Sequence, residues 1–304
     1  MSPHSHTHAG GDTDTRRLST ALALIAAFMA AEIVTGMLAH SLALLADAAH
    51  MLTDAGALVM SLVVIRLVAR PARGNLTFGL KRSEILSAQA NGVTLLILAG
   101  LVVYEAIHRL VSPPKPSGLA VLVVALVGIG VNLLATQQLA RANRESLNIR
   151  GSYLHLLTDL FAFVATAIAG AIILATGFIR ADSIASLFVA ALMLWAAYGL
   201  LRSSGRVLLE AAPEGMDVVG IGQAIAAHPH VDSLHDLHVW QVSSGFPALS
   251  AHVLVHPGDD CHGIRRELEL MLDERFGIDH TTLQVDHSRE GGLLTIPSGG
   301  RRPR

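Results

Sequence analysis

The chain is poor in the residues from which many sites and scaffolds are made. One cysteine, Cys261, stands among 304 residues, which excludes a disulfide framework and a thiolate-rich metal centre. Aromatic residues make up 4% of the chain, too few to line a cavity for organic cations, which bind over aromatic faces. No glycine-rich nucleotide loop and no nucleophile motif occurs, so an enzyme ranks last among the function classes. Charged residues make up only 15%, against roughly 25% in an ordinary soluble domain. The formal net charge of −2 says little by itself because the charges are unevenly spread, and no nucleic-acid partner is expected. Two things are plentiful: apolar residues, at 52% with a mean hydropathy of +0.51, and histidine, which occurs 16 times. Scarce charge with abundant apolar residues implies an integral membrane protein.

Six apolar runs lie at about Leu18–His40, Leu42–Val68, Ile85–Arg109, Leu119–Leu139, Tyr153–Phe178 and Ser183–Leu201. Each is near or above the ~20 residues that cross a ~30 Å hydrocarbon core. The first two are joined by little more than a turn at Ala39-His40-Ser41, and Pro113, Pro114 and Pro116 break the link between the third and fourth. Basic residues set the orientation. Arg16 and Arg17, then Arg66, Arg70, Arg73, Lys81 and Arg82, then Arg141, Arg144 and Arg150, then Arg202 and Arg206 fall on one side; the other side has Arg109, Lys115 and Arg180. The basic side is cytoplasmic, so both termini are expected in the cytoplasm, with the protein in a bacterial inner membrane. The opening Met1–Arg17, with His4, His6 and His8, has no apolar core and is read as a polar tail rather than a cleaved signal peptide. Its histidines suit weak metal capture, and a neutral tail is the competing reading.

After the sixth run the chain changes character. Asp217–Ala227 reads as a short helix, Ser233–Val242 and Leu249–His256 as strands about Ser243-Ser244-Gly245, Cys261–Phe276 as a helix with Ile264, Leu268, Met271 and Leu272 on one face, and Thr281–His287 as a last strand. The αββαβ order predicts a small α+β domain, ferredoxin/metallochaperone-like, with helices on one side of its sheet. The fold expected is therefore an all-α bundle of six transmembrane helices followed by a cytoplasmic α+β domain. The boundaries are 1–17 for the tail, 18–202 for the membrane domain, 203–288 for the cytoplasmic domain and 289–304 for a disordered end.

Two stretches share one formula: His50-Met51-Leu52-Thr53-Asp54 and His155-Leu156-Leu157-Thr158-Asp159. Residues four apart share a helix face, so each stretch offers an imidazole and a carboxylate side by side. They fall on the middle spans of two sets of three, which run in opposite directions, a pattern typical of transporter binding sites. At 1.5 Å per residue the first pair lies ~15 Å from the outer face and the second ~10 Å from the inner face, so the pairs reach a common level in a ~30 Å core. Ionisable groups in a span are costly and mark function. His50, Asp54, His155 and Asp159 together supply two nitrogens and two oxygens, a set suited to a divalent ion such as zinc. A hydrogen-bonded couple that only holds helices together is the weaker reading. Protons and metal compete for these ligands, which provides a physical basis for exchanging one against the other.

Several other polar groups lie in the spans. Asp47 either orients His50 or binds water near the outer mouth. Glu32 and Asn132 either line the cavity or bond between helices, and Gln89 and Asn91 have the same two readings. Asp182 is read as the N-cap of the sixth span.

The chain resembles the cation diffusion facilitators over Leu18 to His287. The resemblance is carried by Ser41-Leu42-Ala43-Leu44-Leu45-Ala46-Asp47-Ala48-Ala49-His50-Met51-Leu52-Thr53-Asp54, by Phe78-Gly79-Leu80-Lys81-Arg82-Ser83-Glu84, by Tyr153-Leu154-His155-Leu156-Leu157-Thr158-Asp159 and by His238-Val239-Trp240. It implies His50, Asp54, His155 and Asp159 as transport ligands, a homodimer, and export of metal from the cytoplasm in exchange for protons. Histidine at position 50 resembles the zinc-preferring subgroup. The resemblance also implies His235, His252, His262 and Asp286 as ligands of a cytoplasmic metal site near the dimer contact. Gln284 departs from one branch, which has histidine there. Zinc is thus expected as substrate and regulatory ligand, with no separate cofactor; metal on the cytoplasmic domain would bias the dimer between inward-open and outward-open states.

Nine histidines lie between His228 and His287. His238, three residues after His235, is expected to face the other way in a strand and reads as a packing or surface histidine. His228, His230, His256, His280 and His287 fall near loops and read as solvated. Cys261 beside His262 is a further possible ligand. A membrane-anchored metal sensor without transport competes with the transporter reading; it accounts for the tail domain but not for two ligand pairs at matched depth.

Overall fold

The computed structural model describes residues 8–38, 42–111, 118–143 and 146–288, excluding within these the side chains of 8–12, 36, 38, 42–50, 53, 118, 120 and 121. His4, His6, the turn at 39–41, Pro113 to Pro116, Arg144 and the end segment 289–304 lie outside these residues. The chain divides into two compact units, which meet in sequence at about Leu209.

The first unit holds six long helices: α1 His8–Leu38, α2 Leu42–Val68, α3 Ser83–Val111, α4 Gly118–Ala140, α5 Leu147–Thr176 and α6 Ala181–Leu208. Among the described residues, α1, α3, α4, α5 and α6 each contain an apolar stretch long enough to cross a membrane. α2 has 27 residues, many of whose side chains are outside the description.

α5 runs through the middle of this unit. On one side Ile149 and Leu156 pack with Leu18 and Ile25 of α1, Leu58 of α2 and Leu139 of α4. On the other, Leu154 and Ala162 pack against Leu95 and Ala99 of α3 and Met193 and Ala197 of α6. The outside stays apolar: Ile97, Leu101, Leu126, Ile168, Phe188 and Trp195 are exposed, as suits a surface against lipid rather than water.

Helix ends differ from the sequence expectation where polar residues are helical. α1 begins at His8 rather than near Leu18. Its polar first turns are tied to the end of α4: the Asn143 N–H donates to Asp14 Oδ1 at 3.2 Å, and Arg17 donates to the Arg141 carbonyl. α5 begins at Leu147, six residues before the expected Tyr153, because Ser146 caps it through the Ile149 N–H. Asp182 does not cap α6. The N-cap position is Arg180, and Asp182 sits inside the first turn, 3.7 Å from the Arg109 guanidinium. A carboxylate there still favours the helix, through the macrodipole.

The second unit has the expected αββαβ order: α7 Val218–Ala226, β1 Val231–Ser243, β2 Phe246–Val255, α8 Cys261–Phe276 and β3 His280–His287. The strands lie in the order β1-β2-β3, with β2 and β3 parallel. β1 and β2 join through Ser244-Gly245, where Gly245 takes φ +69°, a left-handed conformation glycine adopts without strain. Asp217 caps α7 through the Gly220 N–H, and Asp260 caps α8 through the His262 N–H. Ile221 and Ile225 of α7 and Ile264, Leu268 and Leu272 of α8 meet Ala251, Val253 and Val255 of β2 in one core. Alternate residues of β2 therefore face inward, leaving Ser250, His252 and Leu254 on the open face.

β1 breaks this alternation. Leu234 and Leu237, three apart, both pack on the core, and Asp236 between them takes φ 52°. Aspartate tolerates this left-handed conformation better than most side chains. As a result His235 and His238 are both exposed, so of the packing and surface readings of His238 the structure agrees with the surface one.

Candidate metal centre

α5 carries its polar residues on one stripe. Asn148, Ser152, His155 and Asp159 follow at intervals of four, three and four, so they stack along one face and are all buried. α2 brings Asp54 against that stripe. His155 Nε2 lies 2.7 Å from Asp54 Oδ1 and 3.9 Å from Asp159 Oδ2. One ligand atom from each of Asp54, His155 and Asp159 lies within 4.8 Å of the others. None is open to water: Asp54 is 4% exposed, His155 2% and Asp159 7%.

Two carboxylates and an imidazole in so dry a place need a positive charge among them, because an uncompensated buried charge is costly. A divalent cation between the three balances both carboxylates, whereas one proton on the imidazole balances only one of them. The arrangement suits a cation.

His50 lies in α2 one turn before Asp54, and its side chain, like that of Asp47, is outside the description. Glu32 of α1 is buried at 5%. Asn132 of α4 is buried, and its amide donates to the Gly128 carbonyl of its own helix at 3.2 Å. Asn91 of α3 is 1% exposed, and its Nδ2 finds no acceptor among the described residues.

Sequence reasoning missed a second polar layer next to the ligands. Ser61 Oγ and Ser152 Oγ are 2.6 Å apart, Ser87 Oγ donates to Asn148 Oδ1 at 2.7 Å, and Asn148 Nδ2 donates to the Ser61 carbonyl at 3.1 Å. This network joins α2, α3 and α5 at the level next to His155. Its signal was available: Asn148 and Ser152 share the α5 face of His155 by spacing alone.

In the second unit, His235 and His252 bring their rings to 5.0 Å between centroids, and His235 Nδ1 is 3.1 Å from Asp236 Oδ2. His235, Asp236 and His252 each offer a ligand atom within 4.8 Å of the others. Asp286 sits opposite Leu254 in the sheet register, on the face of His252, and accepts from Gln284 Nε2 at 2.7 Å. His262 is exposed in the first turn of α8, and its N–H donates to Asp260. Among the described residues, neither Asp286 nor His262 belongs to the close group, while Asp236 does. The left-handed turn of the backbone at Asp236 brings that carboxylate round, and residue spacing gave no sign of it. Asp260 is held below the ordinary aspartate range, first by the Gly263 N–H bond, with desolvation opposing and the His262 N–H and nearby Arg266 adding to the shift.

Residues 18–209 match the family described as the cation efflux transmembrane domain, and residues 213–288 match the cytoplasmic domain of cation efflux proteins. The chain belongs to the cation efflux family. Similar members agree over nearly the whole length. The metal cation efflux system protein CzcD of Cupriavidus metallidurans is 41% identical over 288 residues, covering 93% of this chain and 89% of that one. The zinc transporter ZitB of Escherichia coli is 37% identical, covering 93% and 92%. A cadmium, cobalt and zinc/H(+)-K(+) antiporter of Bacillus subtilis is 35% identical, covering 96% of each chain. As a cation efflux protein with long apolar helices, the chain is an integral membrane protein whose substrates are metal ions. The dry Asp54–His155–Asp159 group lies within the residues that match the transmembrane domain.

Proposed function

We propose that the protein exports a divalent cation, zinc first, from the cytoplasm in exchange for protons. The ion would pass through a four-ligand site of His50, Asp54, His155 and Asp159. The observation that carries this reading is the meeting of Asp54, His155 and Asp159 from two helices, all buried, with ligand atoms within 4.8 Å. A mixed nitrogen and oxygen set suits zinc and neighbouring divalent ions. Similar proteins named as zinc transporters, and as an antiporter of cadmium, cobalt and zinc, support the same choice. Proton exchange follows from the ligands themselves. Metal binds neutral imidazole and ionised carboxylate, so loading expels protons and reprotonation expels metal.

The second unit would sit in the cytoplasm with both chain termini and pair with a second copy of the chain. Metal held by His235 and His252, with Asp286 and His262 as further candidate ligands, would bias the transporter between its two open states. The bacterial inner membrane is the proposed setting, with the basic residues setting which side faces the cytoplasm.

Zinc flux into proteoliposomes, with and without a pH gradient, tests the reading. The wild type should carry zinc and respond to the gradient, while Asp54→Ala and Asp159→Ala should fall to background. Undiminished zinc flux in both variants would remove the transport site as assigned.

A further inference from the structure

We propose that the second unit carries another divalent-cation site, built from His230, His256, Asp259 and His287 at one end of its sheet. These residues come from three chain segments and share no motif. His230 immediately precedes β1, His256 immediately follows β2, and His287 ends β3. The register pairs Val255 with His287, so the ends of β2 and β3 lie side by side, and the Ser288 N–H donates to the Val255 carbonyl at 2.8 Å. A turn closed by the Asp259 N–H on the His256 carbonyl, at 3.2 Å, brings Asp259 over that end.

Three imidazoles converge on this one aspartate. His230 Nδ1 is 3.0 Å from Asp259 Oδ2, and His256 Nδ1 is 3.6 Å from the same oxygen. His287 Nε2 is 2.9 Å from the Asp259 carbonyl. With zinc–nitrogen and zinc–oxygen bonds of about 2.0–2.1 Å, neighbouring ligand atoms of a tetrahedral site stand about 3.3–3.4 Å apart. The two carboxylate–imidazole distances bracket that value. The His230 and His256 nitrogens stand further than 4.8 Å from one another, so a metal seated on Asp259 would draw the two exposed rings together by side-chain rotation. His287 reaches the same point by a side-chain rotation away from the carbonyl.

Access and anchoring both suit the role. The His230 and His256 side chains are 54% and 53% exposed, so an ion from solution reaches them, while Asp259 is 27% exposed and held by its turn. The ligand set is imidazole-rich with one carboxylate, which selects zinc, cobalt or nickel over calcium or magnesium. The group is separate from His235 and His252, which lie within strands β1 and β2 rather than at their ends. Bound metal would tie the start of β1 to the loop leading into α8, so loading would stiffen the domain.

The test uses the full chain in detergent, stripped with a chelator and titrated with zinc, then with cobalt(II) as a spectroscopic probe. His230→Ala with His256→Ala should lose one metal equivalent per chain and the matching part of the cobalt absorption; His235→Ala with His252→Ala should lose a separate equivalent, and the variant with all four changes should lose both. Asp259→Asn preserves the shape of the carboxylate and one acceptor oxygen, and removes its charge. Its affinity at this site should fall at least about tenfold, since even groups that merely orient a ligand are worth 10–100-fold. Full stoichiometry, affinity and cobalt absorption in Asp259→Asn would overturn the proposal, and so would the same result in a folded His230→Ala, His256→Ala protein. Should the double variant fail to fold, Asp259→Asn alone decides.

Discussion

His155 of the helical unit is 2% exposed and faces carboxylates that are 4% and 7% exposed. His235 of the second unit presents a side chain that is 52% exposed to a carboxylate that is 68% exposed. Both groups join imidazole to aspartate at hydrogen-bond distance, 2.7 Å in one and 3.1 Å in the other. The difference is water. At the exposed group, solvent screens every charge, and an ion pair of this kind is worth about 0–1 kcal/mol. At the buried group no solvent helps, and removing one partner of a buried charged set costs about 3–5 kcal/mol. Leaving the dry site without a counter-charge is therefore costly, whereas the wet one stands empty at little cost. Obligatory exchange suits a carrier, and optional occupancy suits a sensor.

The largest expected effect follows from removing the nitrogen of the dry site. His155→Ala leaves Asp54 and Asp159 facing one another across the gap. Zinc affinity at that site should fall by about 3–5 kcal/mol, or roughly 10²–10⁴-fold. Zinc titration of the solubilised protein measures this, with His235→Ala as the exposed counterpart. A loss of less than tenfold in His155→Ala would mean that dryness does not set the energetics, and the contrast between the sites would collapse. The same site should bind zinc more weakly as pH falls, because protons compete for its ligands. His155→Ala should also release fewer protons per zinc bound.

A middle-sized effect belongs to the layer beside the site. Asn148 is 1% exposed and bridges Ser87 to the Ser61 carbonyl. Asn148→Leu removes both bonds but no charge. Thermal stability should fall by about 1–2 kcal/mol, in the range for polar contacts between membrane helices, while zinc affinity changes little. A zinc affinity that fell as far as in His155→Ala would make Asn148 part of the ion's coordination rather than a brace between helices.

The two regions also differed in how far their sequence disclosed them. Lipid demands long apolar segments, so the six helices stood out as runs, and His-x-x-x-Asp spacing placed each imidazole and carboxylate on one face. Both signals are local. The ends were less legible because capping and buried polar residues extend helices beyond their apolar length, as Ser146, Asn148 and Ser152 do for α5. In the second unit the strands and helices were recognisable by period, and the family resemblance paired His235 with His252, but the other groupings were not legible. The meeting of His230, His256 and His287 needs the register of β2 with β3 and a turn at Asp259. Asp236 joins His235 only because its backbone turns left-handed, which spacing within an ideal strand cannot express.

The smallest effect separates that backbone turn from the carboxylate it carries. Asparagine is also at ease at positive φ, so Asp236→Asn keeps the turn, the core contacts of Leu234 and Leu237, and the stability of the metal-free protein. It removes only the charge, and zinc binding at His235 and His252 should weaken. Asp236→Val is the reverse test. A β-branched residue at φ 52° is strained by about 1–2 kcal/mol, so the strand either loses that stability or returns to regular alternation. Regular alternation would turn either His235 or His238 away from the open face, and the His235–His252 approach would be lost with it. Chelator-treated protein melted with and without zinc distinguishes the cases: Asn should lower only the zinc-dependent increment, Val both values. Equal melting of the Asn and Val variants without zinc would show that the left-handed turn is not what assembles the exposed site.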